Sequence, residues 1–197
     1  MKTKTKALAL ALCAVLLVVS TVFVTMAYLT SKTDVVTNTF TVGKVTITLD
    51  EADVDLMGVK DSDARVKANE YKLIPGHTYI KDPTVHVDDE SEDCWLFVKV
   101  ENGLEDIIDA KTIEDQMKDN GWSLVAGETN IYAYEEIATA KTGDYKVFDN
   151  FKLKGDAVVS SYATADNEDS VINVTAYAIQ ADGLSDKTPA EIWALFK

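Results

Sequence analysis

Cys94-Trp95-Leu96-Phe97-Val98-Lys99-Val100-Glu101 is the most apolar run beyond the N-terminal segment, and it follows directly on an acidic turn, Asp88-Asp89-Glu90-Ser91-Glu92-Asp93. A short run rich in β-branched and aromatic residues behind such a turn reads as a strand. With Trp95 and Phe97 in one phase and Leu96 and Val98 in the other, both faces are apolar. That is the pattern of a central strand buried on two sides.

Working outward, the neighbours are strands too. Thr39 to Leu49 alternates Phe40, Val42, then Val45, Ile47, Leu49, against Thr41, Lys44, Thr46 and Thr48, with a phase shift at Gly43 that predicts a bulge or bend. Asp50 to Asn69 is polar without a sustained period and reads as a long excursion with room for a little local structure, the place where mobility is most expected. Tyr71 to Ile74 leads to a Pro75-Gly76 turn, and Thr78–Ile80 and Thr84–Val87 are strand pieces broken by Pro83. In Asn102 to Gly121 the period changes. Leu104, Ile107, Ile108, Ile113 and Met117 recur at helical spacing, Thr112 is an N-cap candidate and Asn120-Gly121 a stop, so one or two short helices are expected.

Trp122–Val125 and Asn130–Tyr134 flank Ala126-Gly127-Glu128-Thr129 as a hairpin, with Ile131 and Ala133 on one face and Tyr132 and Tyr134 on the other. Asp144 to Leu153 alternates as one strand, and Asp156 to Ala163 suits either a sheet extension or a short helix. Val171 to Ile179 is a last strand whose inner face is Ile172, Val174, Ala176 and Ala178. Thr188-Pro189-Ala190-Glu191 has the capping-box spacing and opens a C-terminal helix over 188–197 that docks through Ile192, Trp193 and Phe196. Seven or more strands without a βαβ rhythm predict a mainly β, antiparallel β-sandwich with one or two short inserted helices and a helix at the C-terminus.

The first 27 residues read differently. Lys2, Lys4 and Lys6 precede an apolar run from Ala7 to Val19, and Thr25 and Ala27 suit the −3 and −1 pockets of a signal peptidase, which places a cut between Ala27 and Tyr28. The rival is a retained anchor, because Ala7 to Leu29 covers the roughly 20 residues a membrane helix needs. No basic cluster closes the far side of the segment, which favours cleavage. Cys13 lies within the apolar run behind Leu12, a poor lipidation context. The domain plan is thus a signal peptide at 1–27, an N-terminal arm at 28–38 and one domain at 39–197.

The junction carries a resemblance. Tyr28, Thr33-Asp34 and Asn38-x-Phe40-x-x-Gly43, leading into an alternating strand, resemble the start of the TasA/camelysin family, Gram-positive exported proteins with a SipW-type signal peptide. Leu73-Ile74-Pro75-Gly76, Lys81-Asp82-Pro83-Thr84-Val85 and Val147-Phe148 continue it more loosely. The resemblance implies a jelly-roll sandwich and an extracellular matrix or cell-surface protein that assembles into biofilm-type fibres.

The full chain of 197 residues has a formal net charge of −14. Losing three lysines leaves 16 basic against 33 acidic residues, a net of −17 on 170 residues. Such a surface repels nucleic acid and anionic lipid. With Cys13 removed, Cys94 has no disulfide partner within the chain and reads as a buried small hydrophobe.

Motifs for catalysis are missing. The camelysin branch has been classed as metallopeptidases, but the only histidines, His77 and His86, are nine residues apart around Pro83 and form no His-Glu-x-x-His helix. The acidic stretches Asp50-Glu51-x-Asp53-x-Asp55, Asp88–Asp93 and Asp166-Asn167-Glu168-Asp169 lack the ligand spacing of a calcium loop. No nucleophile elbow or phosphate-binding glycine loop is present. The expectation is a non-enzyme without catalytic residues, cofactor or metal.

Its partners are then expected to be copies of itself, other matrix proteins and the processing peptidase. The arm supplies a route. Tyr28, Leu29, Val35 and Val36 are strand formers in a polar, Thr-containing segment freed by cleavage, and an extended arm can add to a neighbour's sheet edge. Head-to-tail addition does not close, so it builds filaments. The alternatives are a monomeric surface adhesin presenting Tyr132 and Tyr134, and a secreted metallopeptidase using His77 or His86.

Overall fold

The computed structural model describes residues 12–16, 43–109, 111–162 and 171–197. The chain divides into two units, Met1–Thr41 and Val42–Lys197. In the first, residues 12–16 are helical. The expected cleavage site at Ala27 and Tyr28, the arm residues Tyr28, Leu29, Val35 and Val36, the acidic stretch 166–169 and the first residues of the strand expected from Thr39 lie outside the described residues. Among those described, no helix is long and apolar enough to cross a membrane.

The second unit is an antiparallel β-sandwich. Its strands are β1 (Ile47–Val54), β2 (Lys60–Val66), β3 (Thr78–Ile80), β4 (Thr84–Val87), β5 (Cys94–Asn102), β6 (Trp122–Leu124), β7 (Ile131–Tyr134), β8 (Asp144–Lys146), β9 (Asn150–Lys152) and β10 (Ile172–Gln180). One sheet has the order β2-β1-β4-β8, the other β10-β5-β7-β6, and β3 and β9 form a two-stranded piece.

A single rolled ribbon organises these sheets. Thr78 pairs with Lys152, Thr84 with Lys146 and Phe97 with Ala133, and the midpoint of each pair is Asp115. So β3, β4 and β5 run out and β7, β8 and β9 run back in one register, and helix α1 (Lys111–Asp119) is centred on the same residue at the tip. The ribbon bends from one sheet into the other at the acidic turn, where the isolated Cys94–Ala138 bridge records a local slip in register. β1 then adds beside β4, and β10 beside β5. This winding is the jelly-roll manner of covering one core with two sheets.

The central strand behaves as its composition predicts. Leu96, Val98 and Val100 point into the main core with Val85, Val87, Tyr79, Phe148 and Phe151, whereas Phe97 belongs to a second core with Val125, Ile131, Ala133, Ile192 and Trp193. Helix α2 (Pro189–Trp193), extended by a 3-10 turn over Ala194–Phe196, closes that second core. Its capping box forms, with Thr188 Oγ1 accepting from the Glu191 N–H and Glu191 Oε2 accepting from the Thr188 N–H at 2.8 Å. β10 follows the expected inner face, with Val174, Ala176 and Ala178 against the main core and Tyr177 and Ile179 against the second.

Several expectations need correction. The excursion from Asp50 to Asn69 is a hairpin, because β2 pairs with β1 across a turn at Asp55–Val59. β2 is Lys-Asp-Ser-Asp-Ala-Arg-Val and solvated on nearly its whole length, so no apolar alternation betrays it. The strand expected over Thr39–Leu49 begins, among described residues, at Ile47 and continues to Val54. The single strand expected over Asp144–Leu153 is two, since Val147 and Phe148 are both buried and break the alternation between β8 and β9. Of the one or two helices in 102–121, one forms among the described residues; Thr112 lies inside it rather than at its cap. The ambiguous stretch after Asp156 contains a 3-10 turn at Val159–Ser161.

Candidate functional site

The strand alternation of β1 sorts its carboxylates onto two faces. Ile47, Leu49 and Glu51 share the inward phase; Thr48 and Asp50 share the outward one. The two faces carry different polar assemblies, and both recruit partners from distant parts of the chain.

On the outer face, Asp50 is the hub. It receives the Arg65 guanidinium from β2, which also reaches Asp82 Oδ2 at 3.0 Å, and His86 Nε2 from β4 at 2.8 Å. The other imidazole nitrogen of His86, Nδ1, lies 2.6 Å from Asp144 Oδ1 on β8. Partial burial opposes a charge on His86, but the hydrogen bonds to Asp50 and Asp144 outweigh it and hold the imidazole pKa above its usual value. Burial likewise opposes the Asp50 carboxylate, and Arg65 and His86 more than compensate, holding it below the usual carboxylate range. The array is a cross-strand charge network over all four strands of one sheet, β2-β1-β4-β8.

On the inner face, Glu51 is buried, 5% exposed. Its Oε2 accepts from Lys81 Nζ at 2.6 Å and its Oε1 from Asn69 Nδ2 at 2.9 Å. Asn69 also donates to the Ala52 carbonyl at 2.8 Å and accepts from the Val54 N–H at 3.1 Å. It thereby fills the ladder gap left where the β1–β2 register shifts between Ala52 and Val54. Above this group the Tyr71 ring packs edge-on against Tyr79 and Phe151. Burial, then the nearby Glu51 charge, push the Tyr71 hydroxyl well up from its usual pKa.

The two histidines are not brought together. His77 Nε2 contacts the Met57 carbonyl at 2.9 Å and its ring packs on Tyr79, while His86 is engaged with Asp50 and Asp144. The acidic stretch is strand from Asp50 to Val54 and Asp55 opens the turn, and its carboxylates go to separate partners, Asp53 to Ser62 and Asp55 to the Met57 and Val59 N–H groups. No group of three or more His, Cys, Asp or Glu side chains that could hold a metal ion occurs among the described residues. Tyr132 and Tyr134, expected as a solvent-facing pair in an adhesin, are half-buried and face the main core instead. Tyr134 packs edge-on against Trp122 and Tyr145. The alternation of β7 placed these tyrosines on one face, but only the docking of α2 on the opposite face decides which side is inward.

Cys94 is fully buried, and burial, with Asp93 beside it, pushes its thiol up to about 11. Two surface features remain. A cleft between Gly43–Val45 and the end of β10 is lined by Ala178, Ile179, Gln180 and Leu184. A more apolar cleft of about 570 Å³ lies between the β6–β7 hairpin and α2, over Trp95, Leu124, Val125, Ala133 and Pro189. Comparison of the chain with protein-family models, with curated proteins and with solved structures finds no match.

Proposed function

We propose that this chain is an exported, non-catalytic structural protein of the cell surface or extracellular matrix, which self-assembles into fibres by adding its N-terminal arm as a strand to a neighbouring copy. The observation that carries the reading is the edge strand β10. It is nine residues long, and among the described residues β5 is its one strand partner. A long edge of this kind is a template for strand addition. The cleft at Gly43–Val45 puts the start of the described domain beside that same edge. An arm can therefore lie on its own subunit or exchange into the next, and exchange without closure gives a filament.

The reading draws on the Lys-led apolar segment for export and on the family resemblance for the matrix role. Its test is light scattering after size exclusion, with electron microscopy, on chains beginning at Tyr28 and at Phe40. Filaments from the longer form alone support arm donation. If both forms stay monomeric, the second reading, a monomeric surface binding module, takes over, and the apolar cleft over Trp95 is where its ligand would be sought.

A further inference from the structure

Glu51 is the single buried carboxylate among the described residues, and it is divided between a primary amine and a carboxamide. The Lys81 side chain is 11% exposed and that of Glu51 is 6% exposed, so the pair is nearly shut off from water. Asn69 is fixed at both ends of its amide, with Oδ1 on the Val54 N–H and Nδ2 on Glu51 and Ala52. A buried ion pair is a costly way to gain stability, and a hydrophobic pair would serve packing as well.

We propose that Lys81 and Asn69 condense into an intramolecular amide cross-link, with Glu51 as the proton-transfer group between them. An amine and a carboxamide held on the two oxygens of one carboxylate are ordinarily inert towards each other, for three reasons: the amine is protonated, the carbonyl is a weak electrophile and the nitrogen is a poor leaving group. Each obstacle meets a group here. Glu51 Oε2 takes a proton from the Lys81 ammonium, freeing its lone pair. The Val54 N–H on Oδ1 polarises the carbonyl and stabilises the oxyanion of the tetrahedral intermediate. Glu51 Oε1 stands at the Asn69 nitrogen that must be protonated in order to leave.

The step balances without another reactant. A bond forms between Lys81 Nζ and Asn69 Cγ, the Cγ–Nδ2 bond breaks, and Nδ2 departs as ammonia, which leaves the site as ammonium. Glu51 ends as the carboxylate it began as. Holding the reacting groups on one rigid carboxylate replaces a bimolecular encounter by a positioned one. The product would tie the segment after the solvated strand β2 to the segment between β3 and β4, so that the most exposed edge of the sheet no longer rests on hydrogen bonds alone.

The test is mass spectrometry of the full chain after folding. The cross-linked protein is one ammonia lighter than its sequence. Trypsin cannot cut after an acylated lysine, so digestion gives a branched peptide joining 68–72 to 73–99 through Asn69 and Lys81. E51Q, K81R and N69A each restore the full mass and the cut or the linear peptides. Folded wild-type protein of full mass, or one in which Asn69 is deamidated but unlinked, overturns the proposal. Because the wild-type mass decides, a variant that folds poorly does not blur the answer.

Discussion

His86 and Asp144 are 58 residues apart in the chain, yet they are paired across β4 and β8 with Nδ1 2.6 Å from Oδ1. The carboxylate of Asp50 holds the other ring nitrogen, so the imidazole is clamped between two anions with Arg65 and Asp82 behind them. Its pKa is held above the ordinary 6.5. A raised folded-state pKa contributes stability that is complete below the unfolded value and lost as pH rises through the folded one. Asp50, held low, contributes above its ordinary 3.8 and loses that on acidification. The network is therefore strongest in mildly acidic solution. Thermal melts should show a fall of about 1 kcal/mol in stability between about pH 6 and pH 9, a modest value because both ends of the clamp are partly solvated. H86Q should flatten that slope; an unchanged slope would place the pH dependence elsewhere.

Gly58 stands in the β1–β2 turn with φ +68°, and a Cβ there would come within 2.8 Å of the Tyr79 backbone. Left-handed conformation alone costs an L residue about 1–2 kcal/mol. The clash is with a Cα and a buried ring rather than a movable chain end, so relief requires shifting the turn off β3. G58A is expected to lose more than about 2 kcal/mol in chemical denaturation. G127A, at φ +87° with open space around it, should lose only the conformational part.

What was legible in the sequence is what periodicity and capping encode. Cys94–Glu101 announced a two-faced central strand, and Thr188 with Glu191 announced the helix that covers its outer face. The polar assemblies were not legible. β2 carries almost no apolar residue to set a period, so Arg65 and Asn69 read as loop. Glu51 falls among the acids of Asp50-Glu51-x-Asp53-x-Asp55 with only its phase with Ile47 and Leu49 to mark it as inward, a signal that needs β1 to extend past Leu49. His86, Asp144, Lys81 and Asn69 meet their partners through the rolled ribbon and the β1–β2 hairpin, and pairing at such separations leaves no local trace.

Cys94 sits at the start of β5 with no exposed surface, and its thiol is pushed up to about 11. The thiolate is the reactive form. In a C13S chain, a maleimide or disulfide reagent at neutral pH should therefore leave Cys94 unmodified while the protein is folded and label it fully in denaturant. Rapid labelling of the native protein would mean that this end of β5 opens far more readily than its packing allows.

The second core is small and depends on α2. Phe97 on the outer face of the sheet is enclosed by Trp193 at a ring-centroid distance of 5.6 Å and by Phe196 at 5.8 Å. Tyr177 of β10 packs edge-on against Trp193 as well, so the helix bridges the two strands that pair over nine positions. Removing the cap by T188A should cost about 1 kcal/mol, since the Glu191 carboxylate loses the hydroxyl donor and the Glu191 N–H loses its acceptor. W193A should cost about 3–5 kcal/mol, the range for emptying a large aromatic site. The main core between the sheets does not include Phe97 or Trp193, so W193A should keep its far-ultraviolet circular dichroism while losing near-ultraviolet signal and gaining affinity for a hydrophobic dye. Loss of both spectra together would mean that the two cores fold as one cooperative unit and that α2 is required for the sandwich itself.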